Sequence, residues 1–246
     1  MTDDALRAAD TVSPERIVDG LKLIGLSDTR VAAATEPLRH YIAELREDSE
    51  RYGLIARGDV ADAQRLFVRH ILDSIAPWPH IVDLADRTGR RRLYDLGAGA
   101  GLPGVPLGIA LGDALDETVL VERRSRRVSF LLGAAAKVSS WTAPGAAPLR
   151  VVEEDATLLG KTEGARLSGA VVVFRAYQKT TPELLRALST TFGPDTPVCA
   201  WKGRHDRTEA ERRIVAASPH AADARMHIVE VPGEEAQRSL LVWGTR

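Results

Sequence analysis

The chain has 246 residues, 44% of them hydrophobic, enough for one substantial core and most simply for one α/β domain with an extension. A formal charge of -1 removes any global electrostatic case for nucleic acid, so a basic face has to be local. A single cysteine, Cys199, excludes a disulfide scaffold and a cysteine-rich zinc site and fits a reducing cytoplasm.

The start, Met1-Thr2-Asp3-Asp4, is acidic and lacks a signal-peptide pattern, and no apolar run reaches membrane-spanning length, so a cytoplasmic protein without a membrane or metal partner is expected. Residues 1 to about 12 are polar and read as frayed. Ser13-Pro14 is a helix start, with serine as N-cap and proline at the first helical position; Ile17, Val18, Leu21 and Leu23-Ile24 give the apolar face, and Gly25 ends the helix. A second amphipathic helix spans about Asp28 to Arg51, kinked or restarted at Pro37, with Leu38, Tyr41, Ile42 and Leu45 inward. Tyr52 to Asp59 reads as a loop, and a third helix from about Val60 to Ile75 is stopped by Pro77 and Pro79. The division is therefore a helical extension over 1–80 and a sheet domain over 81–246.

From Arg92 the pattern alternates between strands and helices, which implies a parallel sheet. Strands are predicted at Arg92–Leu96, Thr118–Glu122, Leu149–Glu153, Gly169–Arg175, Pro197–Lys202, Arg225–Val231 and Ser239–Trp243, and helices near Leu102–Leu111, Ser125–Ser139, Pro182–Thr191 and Asp206–Ala217. Only the turn Pro232–Gln237 separates the last two strands, too short for a crossover helix, so they are antiparallel neighbours. A mainly parallel seven-stranded sheet with an antiparallel last strand matches the Rossmann-like class I methyltransferase fold better than a symmetric dinucleotide fold.

The first strand ends in Asp95-Leu96, followed by Gly97, Ala98, Gly99, Gly101, Leu102 and Gly104. Gly99-x-Gly101-x-x-Gly104 is formally a dinucleotide fingerprint, with Glu122 about where a ribose-binding carboxylate belongs. Read as Asp95-x-Gly97-x-Gly99-x-Gly101, the same stretch is a loop for S-adenosylmethionine (SAM), whose sulfonium and ammonium an acid can attract and which has no pyrophosphate for it to repel. Pro103 and Pro106 also remove N–H groups that a pyrophosphate would use. SAM is the expected cofactor.

Glu122 can hold both ribose hydroxyls or, alternatively, pair with Arg123 or Arg126. The Asp155-Ala156 pair can lie against adenine or cap the turn at Thr157 to Leu159. Arg175 and Lys202 end strands, where they can face cofactor or substrate or pair on the rim. Arg123, Arg124, Arg126 and Arg127 crowd a helix start, a poor place for cations, which points to a phosphate partner or to a solvated face. Cys199 is expected in the core, and no general base is evident.

The runs Leu66-Phe67-Val68-Arg69-His70-Ile71-Leu72-Asp73-Ser74, Asp95-x-Gly-x-Gly-x-Gly-Leu-Pro-Gly-x-Pro-Leu, Arg126-Arg127-Val128-x-Phe130-Leu131, Arg175-Ala176 and Trp201-Lys202-Gly203 together resemble the RsmG family, also called glucose-inhibited division protein B. The resemblance implies SAM-dependent methylation of N7 of a guanine in 16S ribosomal RNA, acting on the RNA or the small ribosomal subunit; a monomer is expected, though the sequence does not fix the oligomeric state. It implies Gly97, Leu102, Asp155, Ala156 and Arg175 as cofactor contacts, and His70, Arg126, Arg127 and Lys202 around the RNA-facing pocket. The chain departs from the family at Gly53-Leu54-Ile55, Phe174, Glu154 and Ser239, on the substrate side. A methyltransferase for another RNA or a small molecule, and a non-catalytic RNA-binding assembly factor, are the other functions such a fold can carry.

Overall fold

The computed structural model describes residues 12–142, 146–203, 205–221 and 223–244. Apart from Val12, which is buried, the frayed start read from sequence lies outside the described residues.

Seven strands form one sheet: β1 (Arg92–Leu96), β2 (Glu117–Glu122), β3 (Leu149–Glu153), β4 (Ala170–Arg175), β5 (Val198–Lys202), β6 (Arg225–Val229) and β7 (Arg238–Trp243). Their order is β3-β2-β1-β4-β5-β7-β6. The first five run parallel, while β7 lies antiparallel between β5 and β6, as the short final turn requires. Inner strands such as β4 and β7 read as nearly continuous apolar runs because helices cover both faces, while the edge strands β3 and β6 are mixed and partly exposed. On one face Leu93, Leu120, Val171, Val173 and Cys199 share a core with the helices that precede the sheet. On the other, Tyr94, Val119, Val172, Phe174 and Trp243 pack with the helices that follow β4 and β5.

Helix α1 (Pro14–Leu23) begins as its sequence dictates, with Ser13 Oγ accepting from the Arg16 N–H at 3.4 Å. Helix α2 (Asp28–Tyr52) runs through Pro37 without a restart; Val31 and Ala34 before the proline and Leu38, Tyr41, Ile42 and Leu45 after it hold both halves to the core. It ends at Gly53 (φ +65), which removes part of the expected loop, and a short turn follows at Arg57–Val60.

The third predicted helix is three segments: Ala63–Leu66, a π-helical turn at Phe67–Leu72, and Asp73–Ile75. The widened turn carries Arg69 and His70. Pro77 and Pro79 open a further helix, α3 (Trp78–Thr88), which sequence missed: prolines at and just after an N-cap cost no helical hydrogen bond, so the pair both stops one helix and starts the next. The remaining long helices are α4 (Gly104–Ala110), α5 (Ser125–Trp141), α6 (Pro182–Phe192) and α7 (His205–Ala216).

Candidate functional site

The strand order reverses between β1 and β4, and in an open α/β sheet ligands bind beyond the strand C-termini at such a point. Two cavities lie there. The first, about 460 Å³, is walled by Gly97, by Glu122, Arg123, Arg124 and Arg127 after β2, by Glu154, Asp155 and Ala156 after β3, and by Ala176, Tyr177 and Gln178 after β4. The second, about 580 Å³, is walled by the ends of β4 and β5, Arg69, Asp73, Glu211 and Arg238. Both fall within the ordinary range of ligand sites, roughly 300–1,000 Å³.

Asp95 lies within β1 and is fully buried. Its Oδ2 accepts from the Gly104 N–H at 2.8 Å, holding the start of α4, while Oδ1 has no partner. Burial raises its carboxyl to about 7, despite the Gly104 bond and the positive charge of Arg175. Gly97, Gly99 and Gly101 all have left-handed φ, +69, +59 and +86. Tyr41 Oη donates to the Ala100 carbonyl, so α2 braces the loop from behind. Ala98, Gly99, Gly101 and Leu102 are buried behind Gly97 rather than in the cavity wall.

Glu122 ends β2 and is nearly buried. Its Oε2 accepts from the Gly99 N–H at 3.1 Å and lies 3.8 Å from Arg127 Nη1, and its Oε1 accepts from the Arg123 and Arg124 N–H groups, each at 2.9 Å. Asp155 caps the turn, its Oδ1 accepting from the N–H (3.0 Å) and hydroxyl (2.7 Å) of Thr157, and it also lines the cavity. Those bonds to Thr157 and the charge of Arg123 hold its carboxyl below the usual range.

Arg175 ends β4 and points into the helical extension, not the first cavity. Its Nη1 lies 2.9 Å from Asp73 Oδ2 and donates to the His70 carbonyl (3.2 Å) and Ser74 Oγ (3.3 Å); its Nη2 donates to the Arg69 carbonyl (3.3 Å) and His70 Nδ1 (2.9 Å). The π turn presents those carbonyls. Because Nδ1 of His70 accepts, its Nε2 carries the hydrogen and faces Asp59 Oδ2 at 3.1 Å; burial and Arg175 hold the imidazole below its ordinary range. His70 thus supports Arg175 from behind the second cavity. Lys202 is in that wall, its ammonium 2.7 Å from Glu211 Oε2 and 5.5 Å over the Phe174 ring.

The arginine cluster is divided. Arg123 and Arg127 line the first cavity, whereas Arg126 lines neither. Arg126 Nη2 donates to the Arg51 carbonyl and Arg127 Nη2 to the Gly53 carbonyl at 3.4 Å. A cation near the start of α5 therefore also serves the C-terminus of α2, where cations are favoured, a reason that sequence did not supply. Cys199 is buried in β5 as expected, its thiol pushed up by burial.

Sequence reasoning also missed Asp73, Arg238, Glu211 and Tyr177. Asp73 Oδ1 lies 3.1 Å from Arg238 Nε, and its main-chain oxygen accepts from Trp201 Nε1 at 3.1 Å. Its position in the Arg-His-Ile-Leu-Asp-Ser run was the available signal. Among the described residues no cluster of His, Cys, Asp or Glu could hold a metal ion, and no helix is long and apolar enough to cross a membrane.

A family model described as GidB, rRNA small subunit methyltransferase G, matches residues 34–239. Proteins named ribosomal RNA small subunit methyltransferase G are similar over most of the chain. The one from Treponema pallidum is 34% identical, covering 76% of this chain and 77% of its own. That from Cupriavidus necator is 29% identical, covering 100% and 98%, and that from Xanthomonas axonopodis is 30% identical, covering 98% of each. Among solved structures, the METTL16 MTase domain superposes with a TM-score of 0.50 at 11% identity, covering 95% of this chain and 81% of that one, a likeness of fold alone.

Proposed function

The chain belongs to the rRNA small subunit methyltransferase G family, and from that premise we propose that it transfers a methyl group from SAM to N7 of a guanine in the 16S RNA of the small ribosomal subunit. The observation that carries this reading is the pair of cavities meeting at the end of β4, one walled by the glycine loop and strand-end acids, the other by cations.

The first cavity's residues fit SAM. Outside the cavity wall, Asp95 Oδ1 is a fully buried acceptor without a partner, in the strand that leads into the left-handed glycine loop. Such an oxygen favours a positively charged neighbour and disfavours a phosphate. Glu122 would hold the ribose hydroxyls and Asp155-Ala156 would border the adenine, with Gly97, Ala98, Gly99, Gly101 and Leu102 shaping the loop. Bound there, SAM supplies the electrophilic methyl group of its sulfonium.

The second cavity has the charge of a nucleic-acid site. Arg69, Arg175, Lys179, Lys202 and Arg238 line it against Asp73 and Glu211. Both carboxylates are engaged, Asp73 by Arg175 and Arg238 and Glu211 by Lys202 and the Thr180 N–H, so neither is poised to remove a proton. That suits N7 of guanine, whose lone pair attacks without deprotonation; catalysis then rests on positioning and charge complementarity. Arg175 and Lys202 would orient the acceptor, His70 would hold Arg175, and Arg123, Arg126 and Arg127 would take phosphates. The helical extension before residue 81 would form one wall of the RNA site, and the protein would act as a cytoplasmic monomer.

The deciding experiment maps methylated guanines in ribosomal RNA by mass spectrometry, from a deletion strain with and without the gene restored. One 7-methylguanine of 16S RNA should vanish and return. An unchanged map would overturn the assignment.

A further inference from the structure

Ala176, Tyr177 and Gln178 are the residues common to the walls of both cavities, and Tyr177 brings the one aromatic ring among them. Its placement is built. Ala176 has φ +52, a left-handed conformation unusual for alanine, which turns the chain sharply after β4 and aims the next side chain back over the strand ends. The ring then lies on the glycine loop: a Cβ placed on Gly97 would sit 2.3 Å from Tyr177 Cδ2, so only glycine lets the ring approach that closely. The ring also meets Phe174 at a steep angle, centroids 5.9 Å apart and planes 61° apart, and the Phe174 ring carries the Lys202 ammonium.

We propose that Tyr177 is the base-stacking residue of the reaction, its ring the partition on which the acceptor purine lies so that N7 faces the cofactor's methyl group across the junction of the two cavities. The proposal rests on the RNA-methyltransferase reading above and names how that site holds its base. Stacking on an aromatic face is the general means by which proteins hold an unpaired base, and it is worth about tenfold to a hundredfold in binding. Trp201, the other aromatic in the second cavity's wall, is buried and tied by its indole N–H to the Asp73 carbonyl, whereas Tyr177 is only half-buried. Burial and the charge of Asp155 hold the Tyr177 hydroxyl above its ordinary range, so the ring remains a neutral phenol.

The test compares wild type with Tyr177→Phe and Tyr177→Leu in the full chain. Three quantities are read: kcat and KM for a 16S RNA fragment, the dissociation constant for SAM by calorimetry, and the fluorescence of 2-aminopurine placed at the mapped acceptor position, which stacking quenches. Tyr177→Phe should keep turnover and quenching within about threefold of wild type. Tyr177→Leu, assayed at saturating SAM because the ring also borders the first cavity, should lower kcat by about tenfold to a hundredfold and leave the probe bright. Full turnover and quenching in Tyr177→Leu overturns the proposal, as does a loss of SAM affinity that accounts for the whole loss of rate. A wild-type protein that methylates no 16S guanine overturns the functional reading and the stacking role with it.

Discussion

Asp73 faces Arg175 across 2.9 Å, Oδ2 to Nη1, and so joins the helical extension to the end of β4. The same carboxylate reaches Arg238 at the start of β7, 3.1 Å away, while the Arg175 guanidinium also takes the carbonyls of Arg69 and His70. Asp73 is thus an acid shared by two arginines in a nearly dry place. Removing one partner of a buried pair strands the other charges, which costs about 3–5 kcal/mol when burial is complete and less here, because both arginines keep partial exposure. Asp73→Ala should therefore lower stability by roughly 2–3 kcal/mol in urea unfolding and abolish RNA methylation, with SAM affinity largely retained. Arg175→Lys should lose activity nearly as fully, since one ammonium cannot serve five acceptors. An active Arg175→Lys would show that the network is not needed.

The sheet was legible because its information is local. Val171-Val172-Val173-Phe174 can only be a buried strand, and the seven residues between the last two predicted strands leave no room for a crossover. The glycine loop announced itself by spacing. What sequence could not show are the long-range partners. Arg175 read evenly as a site or a rim residue because its acceptors lie about a hundred positions earlier, on carbonyls that a π turn exposes. Tyr177 was invisible because its role depends on the φ of Ala176. Asp95 was recognised, but as an acid at the strand end; its burial and its bond to Gly104 follow only from packing.

Asp95 gives a pH dependence of defined sign. Its folded-state carboxyl is raised from 3.8 to about 7, chiefly by burial. A raised acid stabilises the fold fully below the unfolded value, loses that contribution as pH rises from about 4 to about 7, and changes nothing further above. About three units correspond to a contribution on the order of 4 kcal/mol. Urea unfolding between pH 4.5 and 8 should show that decline in wild type and a flatter profile in Asp95→Asn. A cationic cofactor favours the ionised form, so SAM should bind wild type more tightly as pH rises through 7 and bind Asp95→Asn without that trend. Identical profiles in the two proteins would remove Asp95 from both roles.

Gly101 and Gly25 separate backbone strain from crowding. Their φ angles are nearly equal, +86 and +81, but a Cβ on Gly101 would meet Val105 Cγ2 at 2.6 Å and Tyr41 Oη at 2.8 Å, while one on Gly25 meets nothing within 4 Å. Gly25→Ala should cost about 1 kcal/mol, the ordinary penalty of a left-handed alanine. Gly101→Ala should cost about 1–3 kcal/mol more, from overpacking. It should also weaken SAM binding, because the Tyr41 bond to Ala100 that braces the loop is displaced. Equal melting shifts would mean that the loop absorbs the methyl group freely.

Arg126 and Arg127 are bound to the end of α2 through the carbonyls of Arg51 and Gly53, yet Arg126 is exposed and Arg127 borders the first cavity. Replacing both with Glu removes two cations from the helix end, at about 0.3–1 kcal/mol each, and puts two anions beside carbonyl oxygens. A modest loss of stability is therefore expected whether or not RNA touches them. The salt dependence of RNA binding decides between a phosphate grip and a purely structural cap. Each lost phosphate contact should lessen the slope of log K against log salt by about 0.7–0.9, so the double variant should be shallower by about 1.5 and bind RNA more than tenfold more weakly at low salt. SAM binding should fall less than RNA binding and through Arg127 alone, which borders the first cavity 3.8 Å from Glu122. Weaker RNA binding with an unchanged slope would assign both arginines to the helix end alone.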